Sequence, residues 1–95
     1  MSELKLTKHI ELTPEDNERL GCLCGPYNDN LLLLERALGV EVNNRGCHFE
    51  IIGIPTSVNI ACEVLTTLYD KTSTSETLTN KDIQLLIKSL ESEQS

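Results

Sequence analysis

The chain has 95 residues, which is enough for one domain with a single hydrophobic core. It carries 8 basic and 15 acidic residues, so its formal net charge is −7 and bulk electrostatic attraction cannot hold a nucleic acid. Two tyrosines, one phenylalanine and no tryptophan are too few for a platform of several stacked bases.

Membrane, export and common enzyme patterns are missing from the sequence. The longest apolar run, Leu31–Leu34, is far shorter than the roughly 20 residues that span a bilayer. The first residues lack the pattern of a signal peptide, so we expect a cytoplasmic protein with reduced cysteines and no membrane partner. The sequence contains neither GxxxxGK[ST] nor HExxH, and we expect no enzymatic activity from this chain alone.

An alternating segment at the start predicts a half-buried strand. Its apolar members share one parity and are Leu4, Leu6, Ile10 and Leu12. The sequence Thr13–Asp16 predicts the start of a helix, with Thr13 as its cap and the acidic residues at the positive end of the dipole. Gly25-Pro26 ends this helix because proline disfavours helical angles at the preceding residue.

A second helix and a hairpin are predicted next. The helix begins at about Asn28 or Asp29 and ends at Leu38, where Gly39 fits a left-handed C-cap. Turn-forming residues 43–46 then separate two alternating segments, which predicts two antiparallel strands.

Two further helices follow the hairpin. The first has an apolar stripe at helical spacing, formed by Val58, Ala61, Cys62, Leu65, Leu68 and Tyr69. Polar residues 71–77 predict a loop, after which Thr79 caps the last helix and Leu78 and Ile83 form a hydrophobic staple. We expect this helix over residues 78–91 and a frayed tail over 92–95.

The order of these elements predicts an α+β domain over residues 1–70. Its three-stranded antiparallel sheet carries helices on one face, and the C-terminal helix is additional. That helix either packs on the domain or leads toward a domain absent from this chain.

The segment between the first two helices resembles the KH module, in which a GxxG loop clamps a nucleic-acid backbone. The predicted order β-α-α-β-β-α is also that of the type I KH arrangement. The free amides at the start of the second helix supply donors for phosphate. The resemblance assigns nucleic-acid contact to Gly25, Pro26, Tyr27, Asn28, Asn30 and Arg45.

The loop departs from the KH pattern at two positions. Asn28 replaces the second glycine, and Pro26 removes one amide donor. The alternative is a helix–helix turn that keeps the KH shape without touching nucleic acid. Arg19 is a second candidate for phosphate contact, with a solvated helix charge as its alternative.

A wider resemblance covers nearly the whole chain. The residues LCGP at 23–26, Asn30-Leu31, Glu35, LGVE at 38–41 and Arg45-Gly46 resemble the N-terminal domain of PhoH-like proteins. In that family a KH-like domain precedes a P-loop ATPase domain, and the family is linked to phosphate starvation and RNA metabolism. The resemblance implies ATP and Mg²⁺ for the absent ATPase domain and no cofactor for this chain.

The resemblance also implies partners. They are single-stranded RNA, the protein's own ATPase domain, further copies of the parent protein and an endoribonuclease of ribosomal RNA maturation. A competing hypothesis is a protein-docking domain with no RNA contact, in which Leu32 and Arg36 meet the partner. Leu32 lies about 100° around the second helix from its buried stripe.

The cysteines and histidines do not predict a metal site. Cys22 and Cys24 have CxC rather than CxxC spacing. Cys47 and His48 are adjacent on a predicted strand, and adjacent strand residues point to opposite faces.

Overall fold

The computed structural model of the chain describes residues 5–13, 16–25, 28–72 and 79–94. Its strands and helices, in chain order, are β1 (Leu6–Glu11), α1 (Asn17–Cys24), α2 (Asp29–Leu38), β2 (Glu41–Arg45), β3 (His48–Gly53), α3 (Pro55–Lys71) and α4 (Asn80–Gln94). The strands form one antiparallel sheet in the order β1-β3-β2. The predicted fold class is therefore confirmed: an α+β, KH-like domain of type I order with one additional helix.

Successive residues of the central strand β3 alternate between the buried face and the exposed face of the sheet. Phe49 and Ile51 are almost completely buried, and Val42 lies beside Ile51 on the same face. The alternate residues His48, Glu50 and Ile52 lie on the outer face. All described apolar strand residues of the core thus point toward the helices.

β1 is more exposed than its alternating pattern predicts. It is an edge strand, Leu6 keeps 39% of its surface exposed, and only Ile10 is partly buried. Lys8 shares the inner face with Ile51 and donates from Nζ to Asn59 Oδ1 on α3 at 3.3 Å. The lysine that breaks the apolar alternation therefore connects the sheet to α3.

α3 is the centre of the core. It contacts β1, β3 and the other three helices. The predicted apolar stripe is buried, and so are Ile60 and Val64, which the stripe omits. Because the sheet and the helices surround α3, a wider arc of its surface is buried than an amphipathic helix at a surface requires.

α4 packs on its own domain through α2 and α3. Ile83 and Ile87 are buried, while Leu86 and Leu90 are partly buried against the core. Thr79 Oγ1 accepts from the amide of Asp82 at 3.2 Å, as the predicted cap requires. Leu78, the other half of the predicted staple, lies outside the described residues.

The tail and the polar loop differ from their predicted bounds. α4 continues to Gln94, three residues beyond the predicted bound at residue 91, and no glycine or proline interrupts the helix there. Lys71 ends α3 and Thr72 is buried, whereas the remaining residues 73–77 of the predicted loop are not described. Among the described helices none is long and apolar enough to cross a bilayer.

Two local boundaries also need correction. Asp16 caps α1 in place of Thr13, because its carboxylate accepts from the amides of Glu18 and Arg19 at 2.9 and 3.3 Å. β2 extends through Arg45, and the hairpin turn is shorter than predicted because Gly46 adopts a positive φ of 57°. The left-handed C-cap at residue 39 is confirmed, with φ 67° and ψ 34°.

Candidate nucleic-acid interface

The loop 25–28, which joins α1 and α2, is closed by its own backbone. The amide of Asn28 donates to the carbonyl of Gly25 at 3.1 Å. Asn28 adopts left-handed angles, φ 60° and ψ 28°, which asparagine tolerates better than most residues. Asparagine therefore occupies the position of the second KH glycine without losing the turn; Pro26 and Tyr27 lie outside the described residues.

Gly25 is required by space as well as by its backbone angle. Its φ is 75°, and an added Cβ would lie 2.9 Å from Nδ2 of Asn30. A residue with a side chain at position 25 would therefore be strained and would clash with the side-chain amide of Asn30.

The side chain of Asn30 connects this loop to the end of α1 through hydrogen bonds. Its side chain is buried, with 8% exposed, and Nδ2 donates to the carbonyl of Leu23 at 3.1 Å and, at the longer distance of 3.5 Å, to that of Cys22. Carbonyls in the last turn of a helix lack helical partners, so this amide satisfies them. The structure gives Asn30 a loop-positioning role, and its direct contact with nucleic acid stays a prediction.

A groove of about 310 Å³ runs between α2 and the edge strand β2; we call it the α2–β2 groove. Its lining residues are Asn28, Leu31, Leu32, Glu35, Val42, Asn43 and Asn44. Asn28 lines it from the loop side, and Val42, Asn43 and Asn44 line it from β2. Three asparagines and three apolar residues therefore line the same space, although the side-chain amide of Asn43 donates to Glu41 and Glu50 instead.

Among the described residues that line the α2–β2 groove, Glu35 is acidic and none is a lysine or an arginine. Glu35 Oε2 accepts from the backbone amide of Val42 at 2.7 Å, which links α2 to the edge of the sheet. Leu32 is 46% exposed at the groove. Arg36, one helical turn beyond Leu32, is exposed on α2 and does not line the groove.

Arg45 lies on the other side of the sheet edge. It is the cross-strand neighbour of His48 on the outer face and lines a separate cavity of about 570 Å³. The structure therefore separates Arg45 from the predicted loop residues, and its contact with phosphate stays a prediction.

Arg19 has intramolecular partners that its sequence position did not reveal. Its guanidinium donates to Thr72 Oγ1 at 3.0 Å and to the carbonyl of Tyr69 at 2.9 Å, and it stacks over the Tyr69 ring at 4.3 Å. It caps the C-terminal end of α3, so both earlier interpretations, a phosphate contact and a solvated charge, are replaced by a structural one.

The outer face of the sheet is polar and contains two histidines, each of which lies beside a glutamate. His48 Nε2 lies 3.3 Å from Glu11 Oε2, and His9 Nε2 lies 3.8 Å from Glu50 Oε2. Asn43 donates to Glu50 at 3.4 Å. This face therefore presents acids and imidazoles together with Arg45, rather than the basic surface expected for bulk binding of phosphates.

Sequence reasoning found only part of the groove. The sequence predicts contact roles for Asn28 and Leu32, but not for Glu35 or the β2 residues that line the other wall. The missing signal was the position of β2 at the sheet edge beside α2, which depends on the strand order β1-β3-β2. A strand order of this kind cannot be read from residue alternation alone.

Comparison with known proteins shows the fold. No family model matches the chain. Its structure is similar to the crystal structure of a protein of unknown function from Aeropyrum pernix, with a TM-score of 0.75 over 98% of this chain and 13% sequence identity. The chain spans about half the length of that protein, since the match covers 50% of it.

Proposed function

We propose that this chain is a non-catalytic KH-like module that positions single-stranded RNA in the α2–β2 groove. The observation that supports the proposal most is the joint placement of the loop 25–28 and the amide-bearing β2 edge around one groove of about 310 Å³. KH modules use a loop and groove of this kind to hold a short single-stranded segment.

The groove residues favour recognition of bases over recognition of phosphates. The side chains of Asn28 and Asn44 offer both donors and acceptors to base edges, and Leu32 offers an exposed apolar surface. Arg36 and Arg45 are outside the groove lining and would reach the RNA backbone only from its margins. With a net charge of −7, binding by the isolated chain is expected to be weak and strongest at low salt.

The proposal includes a PhoH-like parent protein, which rests on the sequence resemblance. In such a protein ATP and Mg²⁺ belong to the following ATPase domain, and this chain presents RNA to it or regulates it in the cytoplasm. The parent forms oligomers or meets an rRNA-maturation endoribonuclease under the same proposal. The next stretch of the coding sequence tests it: a GxxxxGK[ST] motif supports the parent family, and its absence removes that part of the proposal.

Fluorescence anisotropy with a labelled single-stranded RNA tests the groove. We expect Leu32→Asp to weaken binding at low salt by about tenfold or more, because it adds a negative charge to the groove. Leu85→Asp is the matched control, since Leu85 is an exposed leucine, 57% exposed, on α4. Equal binding by Leu32→Asp and the unmodified chain, or no binding of RNA by either, would contradict RNA recognition in this groove.

The second candidate is a protein-docking domain that uses the same face. The exposed Leu32 and the lack of a cation among the described groove residues favour it. Affinity between this chain and the separately expressed remainder of its parent protein tests it. Docking predicts salt-tolerant association that Leu32→Asp abolishes and Leu85→Asp leaves intact, whereas association insensitive to Leu32→Asp argues against docking through this face.

A further inference from the structure

Three potential metal ligands of different chemistry meet where β1 ends and β3 begins. One ligand atom each from Glu11, Cys47 and His48 lies within 4.8 Å of the other two. The sequence argues against a shared ion for Cys47 and His48, because adjacent strand residues point to opposite faces. Cys47, however, lies in the turn that precedes β3, so strand alternation does not apply to this pair.

The backbone already holds the three residues together. Glu11 and His48 are paired across β1 and β3, and the amide of Leu12 donates to the carbonyl of Cys47 at 2.9 Å. His48 Nε2 and Glu11 Oε2 are 3.3 Å apart. In a tetrahedral zinc site, ordinary bond lengths place ligand atoms about 3.3–3.7 Å apart. The imidazole–carboxylate distance therefore already fits, and the ligand atoms, all within 4.8 Å of one another, close around an ion by side-chain rotation.

From this geometry we propose that Glu11, Cys47 and His48 form a Zn²⁺-binding site. The mixture of thiolate, imidazole and carboxylate suits zinc, whereas Mg²⁺ and Ca²⁺ prefer sites made of oxygen. The three ligands leave one tetrahedral position for water or for a ligand from solution. Binding replaces the S–H bond of Cys47 with a zinc–sulfur bond and releases the proton to the buffer.

Charge and access are compatible with this site. Glu11 and a Cys47 thiolate supply two negative charges. These exceed the single positive charge of Arg45, which is the cross-strand neighbour of His48. Cys47 is buried, but the side chains of Glu11 and His48 keep 53% and 68% of their surface exposed. An ion therefore enters from the outer face of the sheet and contacts sulfur at the inner end of the site.

Zinc bound here would join the edge strand β1 to the β2–β3 hairpin. None of the three ligands lines the α2–β2 groove, so the site does not depend on the proposed RNA function. Because zinc binds the folded chain, it raises the thermal stability by an amount that depends on its concentration.

Titration with Co²⁺, a spectroscopic substitute for zinc, tests the proposal directly. A Cys22→Ser background removes the one exposed cysteine among the described residues. We expect a thiolate-to-cobalt charge-transfer band in the near ultraviolet that Zn²⁺ displaces and Cys47→Ser eliminates. His48→Gln and Glu11→Gln, at exposed positions, should each weaken Co²⁺ binding about tenfold or more.

His9→Gln is the matched control, because His9 forms the equivalent pair with Glu50 on the same face. It should leave Co²⁺ affinity and the zinc-dependent rise in Tm unchanged. Absence of a charge-transfer band that depends on Cys47 would overturn the proposal. If Cys47→Ser does not fold, equal losses in His9→Gln and His48→Gln would do the same, since they would indicate general surface binding.

Discussion

Replacing Asn30 with aspartate changes one buried donor into an acceptor without changing the shape of the side chain. In the folded chain Nδ2 of Asn30 donates to the carbonyl of Leu23 at 3.1 Å, and only 8% of the residue is exposed. After Asn30→Asp a carboxylate oxygen faces that carbonyl oxygen, so both lose their hydrogen bond and the charge is buried.

The expected cost follows from these contacts. A buried polar group left without a partner costs about 1–3 kcal/mol, and a charged one costs more. We therefore expect Asn30→Asp to lower the free energy of unfolding by about 3 kcal/mol. For a domain of this size that corresponds to a fall in Tm of about 12–24 °C.

Urea denaturation followed by circular dichroism measures this loss. Asn28→Asp makes the same chemical change in the same loop, at an exposed residue without a side-chain capping bond, and should change stability by less than about 0.5 kcal/mol. A loss below about 1 kcal/mol for Asn30→Asp, or equal losses for the two variants, would refute the role assigned to Asn30.

Three further predictions concern the core. Arg19→Met removes two hydrogen bonds and a cation–π contact at the end of α3. It should lower the free energy of unfolding, measured by urea denaturation, by about 2 kcal/mol. A loss near zero would contradict the capping role of Arg19. Ile83→Ala should cost about 3 kcal/mol and Leu85→Ala less than about 0.5 kcal/mol by the same measurement, because only Ile83 is buried. Burial raises the pKa of the thiols of Cys24 and Cys62 above the ordinary value of a cysteine, although the charge of Lys8 partly opposes this for Cys62. The unfolded chain therefore loses these protons first, so stability should fall as pH rises above about 9, and a Cys24→Ala, Cys62→Ala double variant should show a smaller fall.

Local signals predicted the elements of the fold well because their causes are local. Gly39 ends α2 through a left-handed angle, and Thr79 caps α4 through a bond to a residue three positions away. The boundary of α1 was harder to predict because Thr13 and Asp16 are both good caps. The structure selects Asp16, whose carboxylate reaches two amides.

The candidate sites depend on contacts between distant residues, which the sequence does not display. Arg19 meets Thr72 across 53 positions of the chain, so a helix position alone could not reveal its partner. Glu11 and His48 likewise become neighbours only through the register of β1 on β3. The motif places Asn30 beside the loop, but it does not reveal that the side chain is buried.

The bond from Glu35 to Val42 has a consequence for how this protein meets other chains. β2 is an edge strand, and the free backbone groups of such an edge can pair with a strand of another protein. The carboxylate of Glu35 occupies the Val42 amide at 2.7 Å, so an incoming strand finds that donor already taken. We therefore expect the edge to resist strand addition and aggregation, and a partner in the groove to be recognised through side chains rather than by extending the sheet.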